Sequence, residues 1–173
     1  MWWPGKSASQ DAIQTRVLMV CMGNICRSPT AEAVLRSKLD KAGLAREVEV
    51  ASAGTHGYHV GEPPDGRAQK HAARRGYDLS RIRAQKVAAE HFQRYDWVLA
   101  MDDENLAVLR ELAPPDGRAK LSLLMAYAVR HTDEATVPDP YYGPPAGFER
   151  VLDLVEDACE GFIQNLRAAR GTS

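Results

Sequence analysis

Cysteine is scarce, with three thiols in 173 residues. So small and odd a number argues against a disulfide framework and suits a reducing, intracellular compartment. A cytoplasmic location is therefore expected. An excess of one charge is also missing. Lys and Arg number 22 and Asp and Glu 23, a formal net charge of -1. That balance gives no electrostatic reason to expect nucleic acid or an acidic membrane surface as a partner. No apolar run nears the ~20 residues of a membrane span. The opening residues MWWPGKSASQDAIQTR lack the apolar core and small-residue cleavage site of a secretory signal. Residues 1–15 are expected to form a flexible extension. Repeats, low-complexity segments and any sign of a second domain are missing too, so residues 16–170 are expected to form one domain.

What is present is an alternation of strand and helix patterns. Arg16 to Cys21 is a short continuous apolar run, as in a strand covered on both faces. Residues 29–42 carry Ala31, Val34, Leu35, Leu39 and Ala42 on one helical face, with Gly43 at the stop. Further strands are expected over Val48–Ser52, Tyr95–Met101 and Ala119–Leu124. Helices are expected over Arg67–Arg75, Val87–Phe92, and from Asp102 or Asp103 to Leu112. The last helix has an apolar stripe from Phe148 to Leu166 that includes Cys159, read as a small core residue. Such alternation predicts an α/β fold, a parallel sheet with helices on both faces, and ligands beyond the carboxyl ends of the strands.

Cys21 stands at one such end. It opens the loop Cys21-Met22-Gly23-Asn24-Ile25-Cys26-Arg27-Ser28-Pro29, which runs into a helix. A loop entering a helix offers free backbone N–H groups and the positive end of the dipole. Gly23 and Asn24 tolerate the left-handed conformations that turn successive N–H groups toward one point. Arg27 adds a planar fork for two oxygens of a tetrahedral anion. The same field favours a thiolate at Cys21, poised to attack phosphorus and form a phosphocysteine. The Ser28 hydroxyl is placed to hydrogen-bond that sulfur. A zinc site is disfavoured, because two cysteines without a histidine pair are too few ligands, and neither metal nor cofactor is expected.

A second loop, Val137-Pro138-Asp139-Pro140-Tyr141-Tyr142-Gly143, offers Asp139 as a proton donor to a leaving oxygen and then a base for water. Tyr141 and Tyr142 could wall an aromatic slot. Spacing alone favours a plain turn for this segment.

Together these stretches resemble the low-molecular-weight protein tyrosine phosphatases. The resemblance implies a four-stranded parallel sheet of order 2-1-3-4 and hydrolysis of phosphotyrosine in proteins. It implies Cys21 as nucleophile, Arg27 as phosphate ligand and Asp139 as acid then base, within a loop of Met22, Gly23, Asn24, Ile25, Cys26 and Ser28. Asn24 would hold the loop's shape with Ser52 bonded to it. Tyr58 matches the variable aromatic position beside the slot. The cysteine pair implies that Cys26 captures an oxidised Cys21 as a disulfide; filling space beneath the loop is as good a reading of Cys26. The expected partners are a phosphotyrosine-containing protein and inorganic phosphate as product and inhibitor. Two alternatives share the fold. A thiol-dependent arsenate reductase would need further cysteines after the third strand, where Met101 to Ala128 has none. A phosphoarginine phosphatase would carry Thr at the position of Ile25.

Overall fold

The computed structural model describes residues 13–171. Residues 1–12 of the expected extension lie outside them. The amides of Gln14 and Thr15 both donate to the Glu47 carbonyl, and the first strand begins at Thr15.

Four strands form one parallel sheet: β1 (Thr15–Cys21), β2 (Val48–Gly54), β3 (Trp97–Ala100) and β4 (Lys120–Leu123), in the order β2-β1-β3-β4. The central strand β1 is buried on both sides because alternate residues serve two cores. Val17, Met19 and Cys21 face a cluster built with helices α1 (Arg27–Lys41), α2 (Gly66–Arg74) and α5 (Ala146–Ala169). Leu18 and Val20 face the other cluster, with Phe92 of α3 (His91–Arg94) and Leu106 and Leu109 of α4 (Asp103–Leu112). A strand flanked by two cores needs apolar side chains at every position, which explains the unbroken Val-Leu-Met-Val run. Among the described residues no helix is long and apolar enough to cross a membrane.

Helix ends follow local chemistry. Gly43 (φ 75°) closes α1, with the Leu44 amide donating to Leu39 O, and Gly76 (φ 89°) closes α2 in the same way. Asp102 caps α4 through its side chain, which accepts from the Asn105 amide. Two expectations need correction. The helix expected over Val87–Phe92 is instead α3, four residues starting at His91. Lys86 pairs with Gly54 as an isolated bridge and the Val87 amide donates to Gly54 O, so this segment is held extended beside β2. The fourth strand stops at Leu123, and Leu124–Tyr127 form a single 3-10 turn.

Candidate active site

The strand β1 ends on Cys21, and the chain turns at once into the loop that enters α1. The loop's carbonyls are tied down from outside. Cys21 O accepts from the Thr55 amide, Met22 O from His56, Ile25 O from Asp65, and Cys26 O from the Thr30 hydroxyl. Across a planar trans peptide the following N–H points the opposite way. Pinning these carbonyls outward therefore turns the amides of Met22, Gly23, Cys26 and Arg27 away from those partners. Gly54 makes the approach of β2 possible, since a Cβ there would lie 2.7 Å from Met22 O.

Asn24 is the one non-glycine residue with positive φ (57°) among the described residues. Its amide orientation is fixed by three bonds. Oδ1 accepts from the Gln85 amide at 3.0 Å, so Nδ2 donates to Ser28 Oγ at 2.8 Å and to Ser52 Oγ at 2.9 Å. Both hydroxyls thus accept from Asn24 and keep their own hydrogens to give. Ser52 donates to Glu32 Oε1 at 2.7 Å. Ser28 stands 3.0 Å from Cys21 Sγ and only at the margin, 3.5 Å, from Ala53 O. The Ser28 hydrogen is thus within reach of the sulfur and can be donated to it when the sulfur carries charge. Gly23, expected to share the left-handed conformation, does not. Its missing side chain instead seats His59, whose Cδ2 would lie 3.1 Å from a Cβ on Gly23.

Arg27 is 3% exposed and reaches across to the other strand ends. Its Nη1 donates to Asp102 Oδ2 at 2.6 Å and to Val137 O at 3.0 Å, and its Nη2 lies 3.9 Å from Asp139 Oδ2. Burial opposes its charge, but the Cys21 sulfur and the Asp102 and Asp139 carboxylates outweigh that and hold the guanidinium protonated. Asp139 caps its own turn, with Oδ1 accepting from the Tyr141 amide at 3.1 Å. Its side chain remains 40% exposed. Burial pushes the Cys26 thiol up, and Asp65, Cys21 and Asp139 add to that, so Cys26 stays a thiol.

A cavity of about 330 Å³ opens over this floor, lined by Cys21, Ile25, Arg27, Tyr58, Asp139 and Tyr141 among others. Its mouth is aromatic. Tyr58 stacks on His56 at 5.4 Å, and Tyr141 meets Tyr142 edge-on at 4.8 Å. A buried thiol in an anion cradle, facing a carboxyl across an aromatic slot, is an arrangement for phosphoryl transfer.

Residues 16–171 match the family model described as low molecular weight phosphotyrosine protein phosphatase. The chain belongs to this family. A low molecular weight protein-tyrosine-phosphatase of Streptomyces coelicolor is 46% identical over 155 residues, covering 88% of this chain and 93% of the relative. A crystal structure of a protein tyrosine phosphatase from Entamoeba histolytica superposes with a TM-score of 0.86 at 37% identity, covering 91% of this chain and 99% of that one. A Drosophila arginine phosphatase has the same fold, with a TM-score of 0.82 at 33% identity over 87% and 97% of the two chains.

In this phosphatase fold the residues expected from the sequence converge. Cys21 through Arg27, apart from Asn24, line the cavity with Asp139, Tyr58, Tyr141 and Tyr142; Asn24, Ser28 and Ser52 lie behind the loop. Tyr142 is the outermost, 94% exposed. Several residues around the site were not anticipated: Glu32, Gln85, His59 and Arg67. Asp102 was expected only as one of two possible starts of a helix, yet it also grips Arg27 with its second oxygen.

Proposed function

We propose that the chain hydrolyses phosphotyrosine in proteins through a phosphocysteine on Cys21, without a metal. The observation that carries this is the pairing of Cys21 Sγ with the Ser28 hydroxyl at 3.0 Å, on the floor of a cavity whose wall bears Arg27 and Asp139. The phosphoryl oxygens would be held by the loop amides and the Arg27 fork. The sulfur attacks phosphorus, the P–O bond to the aryl group breaks, and the Asp139 carboxyl gives its proton to the departing phenolate. Water then attacks phosphorus, Asp139 takes its proton, and the P–S bond breaks with the thiolate received by Ser28. Inorganic phosphate is the product and, by occupying the same cradle, an inhibitor.

Aromatic and apolar lining supports a phenyl substrate. Ile25 presents hydrocarbon to the cavity and no hydroxyl to assist P–N cleavage, which favours phosphotyrosine over phosphoarginine. A relay of thiols for arsenate reduction gains no support from Cys159, which is fully buried on α5. Cys26 stands in the same loop as the nucleophile and lines the same cavity, and we assign it the capture of an oxidised Cys21 as a disulfide, with loss of water from the sulfenic acid. Three free thiols, one of them the nucleophile, suit a reducing cytoplasm.

Parallel assays on phosphotyrosine, phosphoserine and phosphoarginine peptides test the reading. Phosphotyrosine should be turned over fastest, with full activity in chelator and none in Cys21→Ser. Comparable turnover of phosphoserine, faster turnover of phosphoarginine, or activity in Cys21→Ser would overturn it.

A further inference from the structure

Arg67, in the first turn of α2, joins three parts of the site although it does not line the cavity. Its fork pairs with Asp65, Nε to Oδ1 at 3.1 Å and Nη2 to Oδ2 at 2.9 Å. The Asp65 amide in turn donates to Ile25 O at 2.8 Å, so this pair is fastened to the phosphate loop. The flat guanidinium then stacks on two rings. Its Cζ lies 4.8 Å from the centre of Phe148 at the start of α5 and 5.3 Å from the centre of Tyr141. Phe148 is itself buried and backed by the His71 ring, stacked at 5.6 Å. Tyr141 belongs to the Asp139 turn, since its amide donates to Asp139 Oδ1.

We propose that Arg67 is a positioning residue for proton transfer, holding Asp139 in line with the phosphate loop by clamping the Tyr141 ring. The proposal rests on the assignment of Asp139 as the acid. A planar cation can lie on a ring while its edge remains paired with a carboxylate. Val137 is buried and bonded to Met101 and Arg27, and Pro140 is buried too, but Asp139 between them is exposed, and its carboxylate lies 3.9 Å from Arg27, too far for a hydrogen bond to fix it. The Asp65–Arg67 pair adds an anchor on the Tyr141 side of the turn. Substrate binding in the cradle and placement of the acid are thereby linked through Ile25 and Asp65.

The test is single-turnover phosphoenzyme formation with phenyl phosphate, a poor leaving group, and with a dinitrophenyl phosphate, whose phenolate needs no proton. Arg67→Met should slow phenyl phosphate by about 10–100-fold, the scale for a displaced catalytic group, and leave the dinitrophenyl ester within about threefold. Arg67→Lys, which keeps the charge and loses the plane, should behave like Met. In an Asp139→Asn background Arg67→Met should add nothing. Equal loss on both esters, additivity with Asp139→Asn, or full rescue by Lys would overturn the proposal while leaving the acid assignment intact. An Asp139→Asn variant whose loss does not depend on the leaving group would overturn the acid assignment, and the Arg67 proposal with it.

Discussion

Asn24 concentrates the loop's energetics in one side chain, so its replacement is informative. The residue is 1% exposed, sits at φ 57°, and makes three hydrogen bonds. Asn24→Ala strands the Gln85 amide and removes the donor to Ser28 and Ser52. At about 1 kcal/mol per lost bond this costs about 3 kcal/mol. Alanine in the left-handed region adds about 1–2 kcal/mol, which asparagine largely avoids. The sum, about 4–5 kcal/mol, is a large share of the ~5–15 kcal/mol stability of a domain. Asn24→Gly loses the same bonds without the steric term, so it should be more stable than the alanine variant by about 1–2 kcal/mol. Urea titration of the three proteins, at equal slope, measures both differences. Inorganic phosphate should raise the wild-type midpoint more than either variant's, because the cradle it fills is no longer pre-shaped. A glycine variant as stable as wild type would show that the bonds contribute nothing. An alanine variant equal to glycine would show that the backbone carries no strain.

Two other perturbations test the frame around the site. A Cβ at Gly161 of α5 would lie 1.8 Å from Tyr127 O, so Gly161→Ala must push the helix off the 3-10 turn; overpacking of about 3 kcal/mol should lower Tm by roughly 6–12 °C, read by calorimetry. Asp157 is fully buried, which alone would raise its pKa, but amide donors from His131, Arg130 and Val129 outweigh burial and bring it to about 2. Its contribution is therefore complete above the ordinary Asp value near 3.8 and lost as pH falls toward 2, so denaturant midpoints of wild type should drop across that window and those of Asp157→Asn should drop less.

The cradle was legible because its parts are contiguous. Cys21, Asn24, Arg27 and Ser28 lie within eight positions, and a strand ending on a loop that enters a helix already implies inward amides. The sheet was legible because β1 must be apolar throughout and the helices carry one apolar stripe each. What the sequence hid depends on distant partners. Gln85 reaches Asn24 across 61 positions and Asp102 reaches Arg27 across 75. Glu32 reads as a polar position on an amphipathic helix, yet it is 6% exposed and takes the Ser52 hydrogen. The misplaced helix near Val87 has the same origin. The pairing with Gly54 that holds this backbone extended comes from a strand more than thirty positions earlier, so no neighbouring residue signals it. Arg67 looked like one charged residue among many, because ring stacking with Tyr141 and Phe148 leaves no local signature.

The central claim is a covalent phosphoryl group on Cys21. Rapid acid quench of the enzyme turning over an aryl phosphate, followed by peptide mass mapping, tests it directly. The phosphoryl group should be found on Cys21 in wild type, form at the rate of phenol release, and be missing from Cys21→Ser. Turnover with no phosphoenzyme, or a phosphoryl group carried by any other residue, would contradict the account.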